Sequence, residues 1–232
     1  MAPPALAELL HANPVFAAVA LRELQPLAAL AREQSYRPRE IIFAEGEPAL
    51  WFCLVRSGHV KIVRAARGGR DVVLELLGPG EPFGGVAVLE RRDYPASAQA
   101  TEPTVVVMIP RDPLVALSER HPSIVREMAL MIGRRLRGAH TAVTSLAADP
   151  VETRLAAALV RLAEREGTGG AGGVGLPSLT RQSLADMTGT TVETTIRTLG
   201  RWLKSGLLVE RDGRLRIPDM DALRALAEGD AS

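Results

Sequence analysis

The period of the apolar residues switches from strand-like to helical near His121 of this chain of 232 residues. That change confines the fold to a β-rich part followed by a helical part. From about Arg39 onward, short β-branched and apolar runs alternate with glycine and proline. The runs are Ile41-Ile42-Phe43, Leu50 to Val55, Val60 to Val63, Val72 to Leu77 and Thr104 to Ile109. Between them stand Glu45-Gly46-Glu47-Pro48, Ser57-Gly58, Gly68-Gly69 and Gly78-Pro79-Gly80. Several short strands with frequent turns predict an antiparallel sandwich or barrel. Short helices are expected ahead of it, over residues 5–12 and 21–33.

After His121, Val125, Ala129, Ile132, Leu136, Ala139, Val143 and Leu146 follow alternating steps of four and three residues. That is an a/d seam of the coiled-coil type. Ile124, Met128 and Met131 form a second apolar stripe beside it. A helix with two apolar faces needs two partners. One face can pack on the β part and the other on a second copy of the chain, which predicts a homodimer. The plainer alternative is a helix buried within one domain. Asp149-Pro150 breaks this helix. Residues 151–165 form another amphipathic helix through Leu155, Leu159 and Leu162, and Gly167 to Gly175 reads as a flexible loop.

Composition narrows the function classes. An apolar fraction of 47% with 24% charged residues excludes a disordered chain. Cys53 is the single cysteine, so an intramolecular disulfide and a four-cysteine zinc or iron–sulfur site are excluded. A reducing, cytoplasmic location is expected. The apolar stretch Leu9 to Leu21 is interrupted by His11, Asn13 and Pro14, is too short for a bilayer, and is preceded by Glu8 without Lys or Arg. Neither a membrane span nor a signal peptide is expected. The formal net charge is only +1, but it is unevenly spread. Arg126, Arg134, Arg135 and Arg137 face a lone Glu127 within residues 121–148, and residues 177–217 carry seven basic against four acidic side chains. A locally basic module on a neutral chain points to a polyanion partner.

The stretch from Leu179 to Ile217 carries the chemistry. Thr180 caps a short helix over 181–188. Ala185 allows a close helix crossing, and Gly189 a tight turn. Thr190 and Glu193 have capping-box spacing, which starts a second helix at about 191. Its buried side includes Thr195, Leu199, Trp202 and Leu203, leaving Val192, Glu193, Ile196 and Arg197 outward. Gly206 stops it, and Leu207 to Ile217 reads as a hairpin turning at Asp212-Gly213. Helix, turn, helix and hairpin make a winged helix. Such a helix enters the DNA major groove N-terminus first. Arg197 can bond both acceptors of a guanine, Glu193 can accept from a cytosine amino group, and Ile196 can touch a thymine methyl. Thr180, Arg181, Gln182 and Thr191 sit where helix starts contact phosphates. The competing reading of Glu193 and Arg197 is a surface ion pair.

With these parts in this order, residues 15–217 resemble the Crp/Fnr family of bacterial transcription regulators. Ile42 to Pro48 and Ser57 to Ile62 resemble the family's β-roll. The long helix matches its dimerisation helix. Leu179 to Gln182 and Val192 to Arg197 match its winged-helix signature. The resemblance implies an α+β fold: an N-terminal antiparallel β-roll (double-stranded β-helix) over 1–120, a dimerisation helix over 121–149 and a C-terminal winged helix-turn-helix over 150–232. It also implies a signal-gated homodimer on palindromic DNA that recruits or blocks RNA polymerase. Glu193 and Arg197 fall on the family's base-reading positions. Val192 stands where the cAMP-responsive branch has Arg and resembles the Fnr-like branch, with its TTGAT-like half-site. Ile196 replaces that branch's Ser.

The implied effector pocket comprises Gly84, Gly85, Val86, Pro95, Ala96, Ser97 and, from the long helix, His140. The cAMP-responsive members hold the cyclic phosphate with a Glu and an Arg. Gly85 and Pro95 replace them here, so a buried phosphate lacks a charge partner and no tight cAMP binding is expected. Two effector readings follow: haem-based sensing through His11 or His140, or no small ligand at all. An enzyme is not expected. Gly78-Pro79-Gly80 and Gly84-Gly85 complete no dinucleotide fingerprint, and the four histidines lack metal-ligand spacing. The runner-up is a ligand-binding signalling protein that has lost specific DNA binding.

Overall fold

A computed structural model describes residues 6–65, 71–170, 172–177, 180–211 and 213–229. Gly68-Gly69, Leu179 and Asp212, each used above, lie outside the described residues. The chain packs as two units, Met1–Arg137 and Gly138–Ser232.

The first unit starts with α1 (Leu6–Ala12) and α2 (Leu21–Leu30), followed by β1 (Arg32–Tyr36), β2 (Ile41–Phe43), β3 (Trp51–Ser57), β4 (Val60–Ala65), β5 (Asp71–Leu77) and β6 (Pro82–Phe83). A short α3 (Gly85–Glu90) interrupts the strands before β7 (Ser97–Ala100) and β8 (Thr104–Pro110). Then come α4 (Arg111–Arg120) and the long α5 (Pro122–Ala148). Two four-stranded antiparallel sheets result, in the orders β1-β8-β3-β6 and β2-β7-β4-β5. Their inward side chains form one core with those of the N-terminal helices. Phe52 of β3 meets Phe16 edge to face at 6.0 Å, and Leu10, Leu24, Leu54 and Ile109 are fully enclosed. Burying one such side chain stabilises the fold by about 1.5–3 kcal/mol. Cys53 belongs to this core. Burial pushes its thiol up, which keeps it protonated and inert.

The second expected helix ends early. The Ala31 N–H closes α2 on the Leu27 and Ala28 carbonyls. Residues 32 and 33, expected to be helical, instead open β1, paired in register with β8 from Arg32↔Met108 to Tyr36↔Thr104. Only Tyr36 of this strand is buried, so no apolar run announces it.

The second unit comprises the remainder of α5, α6 (Val151–Glu166), β9 (Thr168–Gly170), β10 (Gly173–Gly175), α7 (Arg181–Thr188), α8 (Val192–Ser205), β11 (Val209–Arg211), β12 (Arg214–Ile217) and α9 (Met220–Glu228). The glycine-rich segment expected to be a flexible loop is largely a hairpin. It completes a sheet of order β11-β12-β10-β9. At Gly173 the backbone is left-handed (φ +98), and a Cβ would strike the Ile217 carbonyl. The glycine allows two backbones to approach closely, which a composition rule reads as looseness. Leu155, Leu159, Leu184, Leu199, Trp202, Leu208 and Ile217 are buried in this unit.

Candidate nucleic-acid interface

Threonine caps set both helices of the helix-turn-helix. Thr180 Oγ1 accepts the Ser183 N–H at 3.0 Å and starts α7. Gly189, left-handed at φ 59, ends it. Thr191 then caps α8, its Oγ1 accepting the Thr194 N–H at 3.2 Å. The capping pair expected at Thr190 and Glu193 is thus shifted by one residue. The Thr190 N–H returns to the Ala185 carbonyl at 3.0 Å, so Thr190 finishes the turn and Thr191 takes the extended cap conformation.

This cap fixes the azimuth of α8. Thr195, Thr198, Leu199 and Trp202 face inward, while Leu203 is only half-buried. Glu193 and Arg197 are exposed, Ile196 is 53% exposed and Val192 is half-buried. Among the described residues Arg197 takes part in no ion pair, so the four-residue spacing to Glu193 does not produce the competing surface pair. Its own backbone N–H and then the Thr191 hydroxyl hold the Glu193 carboxyl below the usual range. It is therefore an acceptor at neutral pH.

Thr180, Gln182 and Thr191 are exposed near the two helix starts and Arg181 is half-buried. The Gln182 amide already donates to Asp186 Oδ1 at 2.7 Å. Two residues that sequence reasoning passed over, Glu152 and Arg154 of α6, reach both helices of the motif. Their partners lie 34 to 50 positions away, so no local pattern marks them.

In the first unit, Gly84 and Tyr94 bring the two stretches of the expected effector pocket together. A Cβ at Gly84 would stand 3.1 Å from Tyr94 Cε1. Gly85, Ala96 and part of Ser97 are enclosed, and Val86 and Pro95 are exposed. Ser97 Oγ accepts the Glu45 N–H at 2.9 Å. The wall here is aromatic. The Phe43 and Tyr94 rings stack at 3.6 Å, and Phe83 lies 5.7 Å from Phe43. Burial pushes the Tyr94 phenol up, and its hydroxyl donates to the Trp51 carbonyl at 2.6 Å.

These residues do not fit a cyclic phosphate. A Cβ on Gly85 would lie 3.0 Å from Phe52 Cε2 and closer still to Met128 Cε, so a glutamate there must displace the Met128 methyl and press on the Phe52 ring. Introducing it as Gly85→Glu overpacks a filled core at a cost of about 1–3 kcal/mol. A calorimetric melting point lower by roughly 2–12 °C is expected, and an unchanged one would mean that the wall yields.

The two haem candidates are also exposed. His11 Nδ1 engages the Val19 carbonyl at 3.1 Å, and His140 lies on the part of α5 that belongs to the second unit. Among the described residues no three His, Cys, Asp or Glu side chains form a metal cluster, and no helix is long and apolar enough to cross a membrane.

On α5, Ile124 and Met128 are buried in the first unit's core. On the neighbouring stripe Val125 is 44% exposed, Ile132 40% and Leu136 53%. Ala129 and Ala139 on that stripe are exposed as well. The side chains of Val143 and Leu146 lie outside the described residues.

Residues 33–121 match the cyclic nucleotide-binding domain family, and residues 153–226 the Crp-like helix-turn-helix domain family. The chain is 30% identical over 217 residues to the cyclic AMP receptor protein of Thermus thermophilus, covering 94% of this chain and 98% of that relative. It is 28% identical over 206 residues to the CRP-like cAMP-activated global transcriptional regulator of Mycobacterium tuberculosis, covering 86% and 92% respectively. The solved structure of FixK2 from Bradyrhizobium japonicum superposes with a TM-score of 0.75 at 26% identity, over 84% of this chain and 96% of that one.

Proposed function

This chain belongs to the Crp/Fnr family of transcription regulators, and on that premise we propose that it acts as a homodimer on a palindromic promoter site. DNA-binding transcription regulation is the family's activity. The finer reading assigns base contacts to Glu193 and Arg197, with Val192 and Ile196 beside them. Thr180, Arg181, Gln182 and Thr191 contact phosphates. The protein works in the cytoplasm, recruits or blocks RNA polymerase and catalyses no reaction. The observation that carries this is α8 itself: its inner face is buried, while Glu193 and Arg197 stand exposed and unpaired with each other near its N-terminal end. An unpaired guanidinium and an ionised carboxylate on one helical turn suit a G·C pair read in the major groove.

Fluorescence anisotropy on a TTGAT-N4-ATCAA duplex and a scrambled one, at two salt concentrations, tests the reading. Tighter binding to the first supports it. Equal and steeply salt-dependent binding to both, repeated with duplexes drawn from a random pool, would leave phosphate contacts alone and remove the base-reading assignment.

DNA affinity is gated by a signal at the β-roll or α5, and that signal is not cAMP. The filled wall at Gly85 and the uncharged Pro95 support this. Titration calorimetry with cAMP is expected to give no heat of binding at micromolar concentrations; a micromolar Kd would overturn it.

A further inference from the structure

The base-reading turn of α8 is only as well placed as whatever holds α8, and two side chains from the first turn of α6 hold its C-terminal half and the end of α7 that leads into it. Glu152 reaches the C-terminal half of α8. Its Oε1 accepts the Trp202 indole N–H at 3.0 Å, and its Oε2 accepts from Arg201 Nη2 at 3.3 Å. Trp202 is 3% exposed, so its N–H has little access to water if Glu152 is removed. Arg154 reaches the last residue of α7, ahead of the turn into α8. Its Nε donates at 2.9 Å to the carbonyl of Thr188, three residues before the α8 cap. Its Nη1 donates at 2.6 Å to the carbonyl of Asp149, just before α6. The residues assigned to bases, 192–197, thus lie between two anchors that share one turn of one helix.

We infer that Glu152 and Arg154 are positioning residues that set the depth and rotation of the recognition helix, an inference that rests on the DNA-reading role given to α8. Packing of Thr195, Thr198, Leu199 and Trp202 is not directional and by itself sets the rotation of α8 only loosely. The indole N–H bond fixes that rotation, and the Thr188 carbonyl bond fixes the end of α7 from which the chain turns into α8, because each is directional. Misplacement by about 1 Å is enough to lose aligned bidentate contacts. Phosphate contacts, held by flexible side chains, tolerate it.

The test uses the full-length protein with Trp51→Phe, which leaves Trp202 as the only tryptophan, and a duplex selected from a random pool by the protein with native Glu152. Glu152→Ala is expected to lower the ratio of selected to scrambled affinity about tenfold, the share of one base contact, with an unchanged salt slope and a shifted Trp202 emission. Glu152→Gln keeps an acceptor for the indole and is expected to restore both ratio and emission. Arg154→Lys, which replaces the rigid fork that spans the two carbonyls with a single flexible ammonium, should lower the ratio without moving the emission. If Glu152→Ala and Arg154→Lys leave the ratio unchanged, or Glu152→Gln fails to rescue it, the positioning role is overturned. If the protein with native Glu152 selects no duplex, the DNA-reading role itself fails, before any α6 variant is compared.

Discussion

Arg197→Ala is expected to abolish most of the discrimination between a selected duplex and a scrambled one while hardly changing affinity for the scrambled one. Arg197 is exposed and carries no ion pair among the described residues, so its removal leaves no buried partner behind and little stability is at stake. A bidentate contact to guanine is worth about 1–3 kcal/mol of discrimination. The proposed homodimer would make it twice, so the expected loss is about 2–6 kcal/mol, roughly 30-fold at the least. Arg197→Lys keeps the charge and loses the fork, and it should fall nearly as far. Since the contact is to bases and not phosphates, the slope of log affinity against log salt should stay within about one unit of the original. A variant that loses affinity equally for both duplexes would show that Arg197 serves the backbone.

Glu193 gives the same site a pH signature. Its carboxyl is held below the ordinary range by its own backbone N–H and by Thr191. A depressed pKa keeps the charged, accepting form populated above that range and loses it only as pH falls through the depressed value. Discrimination at the paired cytosine should therefore be flat across about pH 6–8.

How much of this was legible without coordinates depends on how local each cause is. The two faces of α5 follow from steps of three and four within one helix, and the structure buries Ile124 and Met128 while leaving Val125, Ile132 and Leu136 exposed. The strands at Ile41, Trp51, Val60 and Thr104 announce themselves by apolar runs. Arg32 to Ser35 do not, because one neighbour, β8, supplies their pairing and only Tyr36 turns inward. The segment from Gly167 to Gly175 misleads because glycine serves both looseness and close approach, and only the Ile217 carbonyl beside Gly173 decides which. In the site, the spacing of Glu193, Ile196 and Arg197 on one face is readable from period alone. The shift of the cap from Thr190 to Thr191 is not, since two adjacent threonines look alike until one of them returns its N–H to Ala185. Glu152 and Arg154 stay hidden because their meaning lies in residues 34 to 50 positions away.

Placing charge on the exposed stripe of α5 should separate the protomers. In the double variant Ile132→Glu, Leu136→Glu, both positions are 40% or more exposed within one chain, so the folded protomer loses little and its melting point measured at low concentration should hold. In a dimer paired through this seam, the exposed part of each side chain would be buried in both protomers, at about 1 kcal/mol per side chain, and glutamates facing one another across the seam add repulsion. The summed loss, several kcal/mol, exceeds what a micromolar dimer can spare. Sedimentation equilibrium at ten micromolar should therefore give a mass near one chain for the variant and near two for the original. DNA affinity follows the same arithmetic. A protomer that reads one half-site forgoes the second set of contacts and the high effective concentration that tethers it, so binding to the palindrome should weaken by about a thousandfold while binding to a single half-site changes little. A variant that remains dimeric would move the interface off this stripe. An original protein that is already monomeric would leave the exposed Val125, Ile132 and Leu136 without a second copy to cover them.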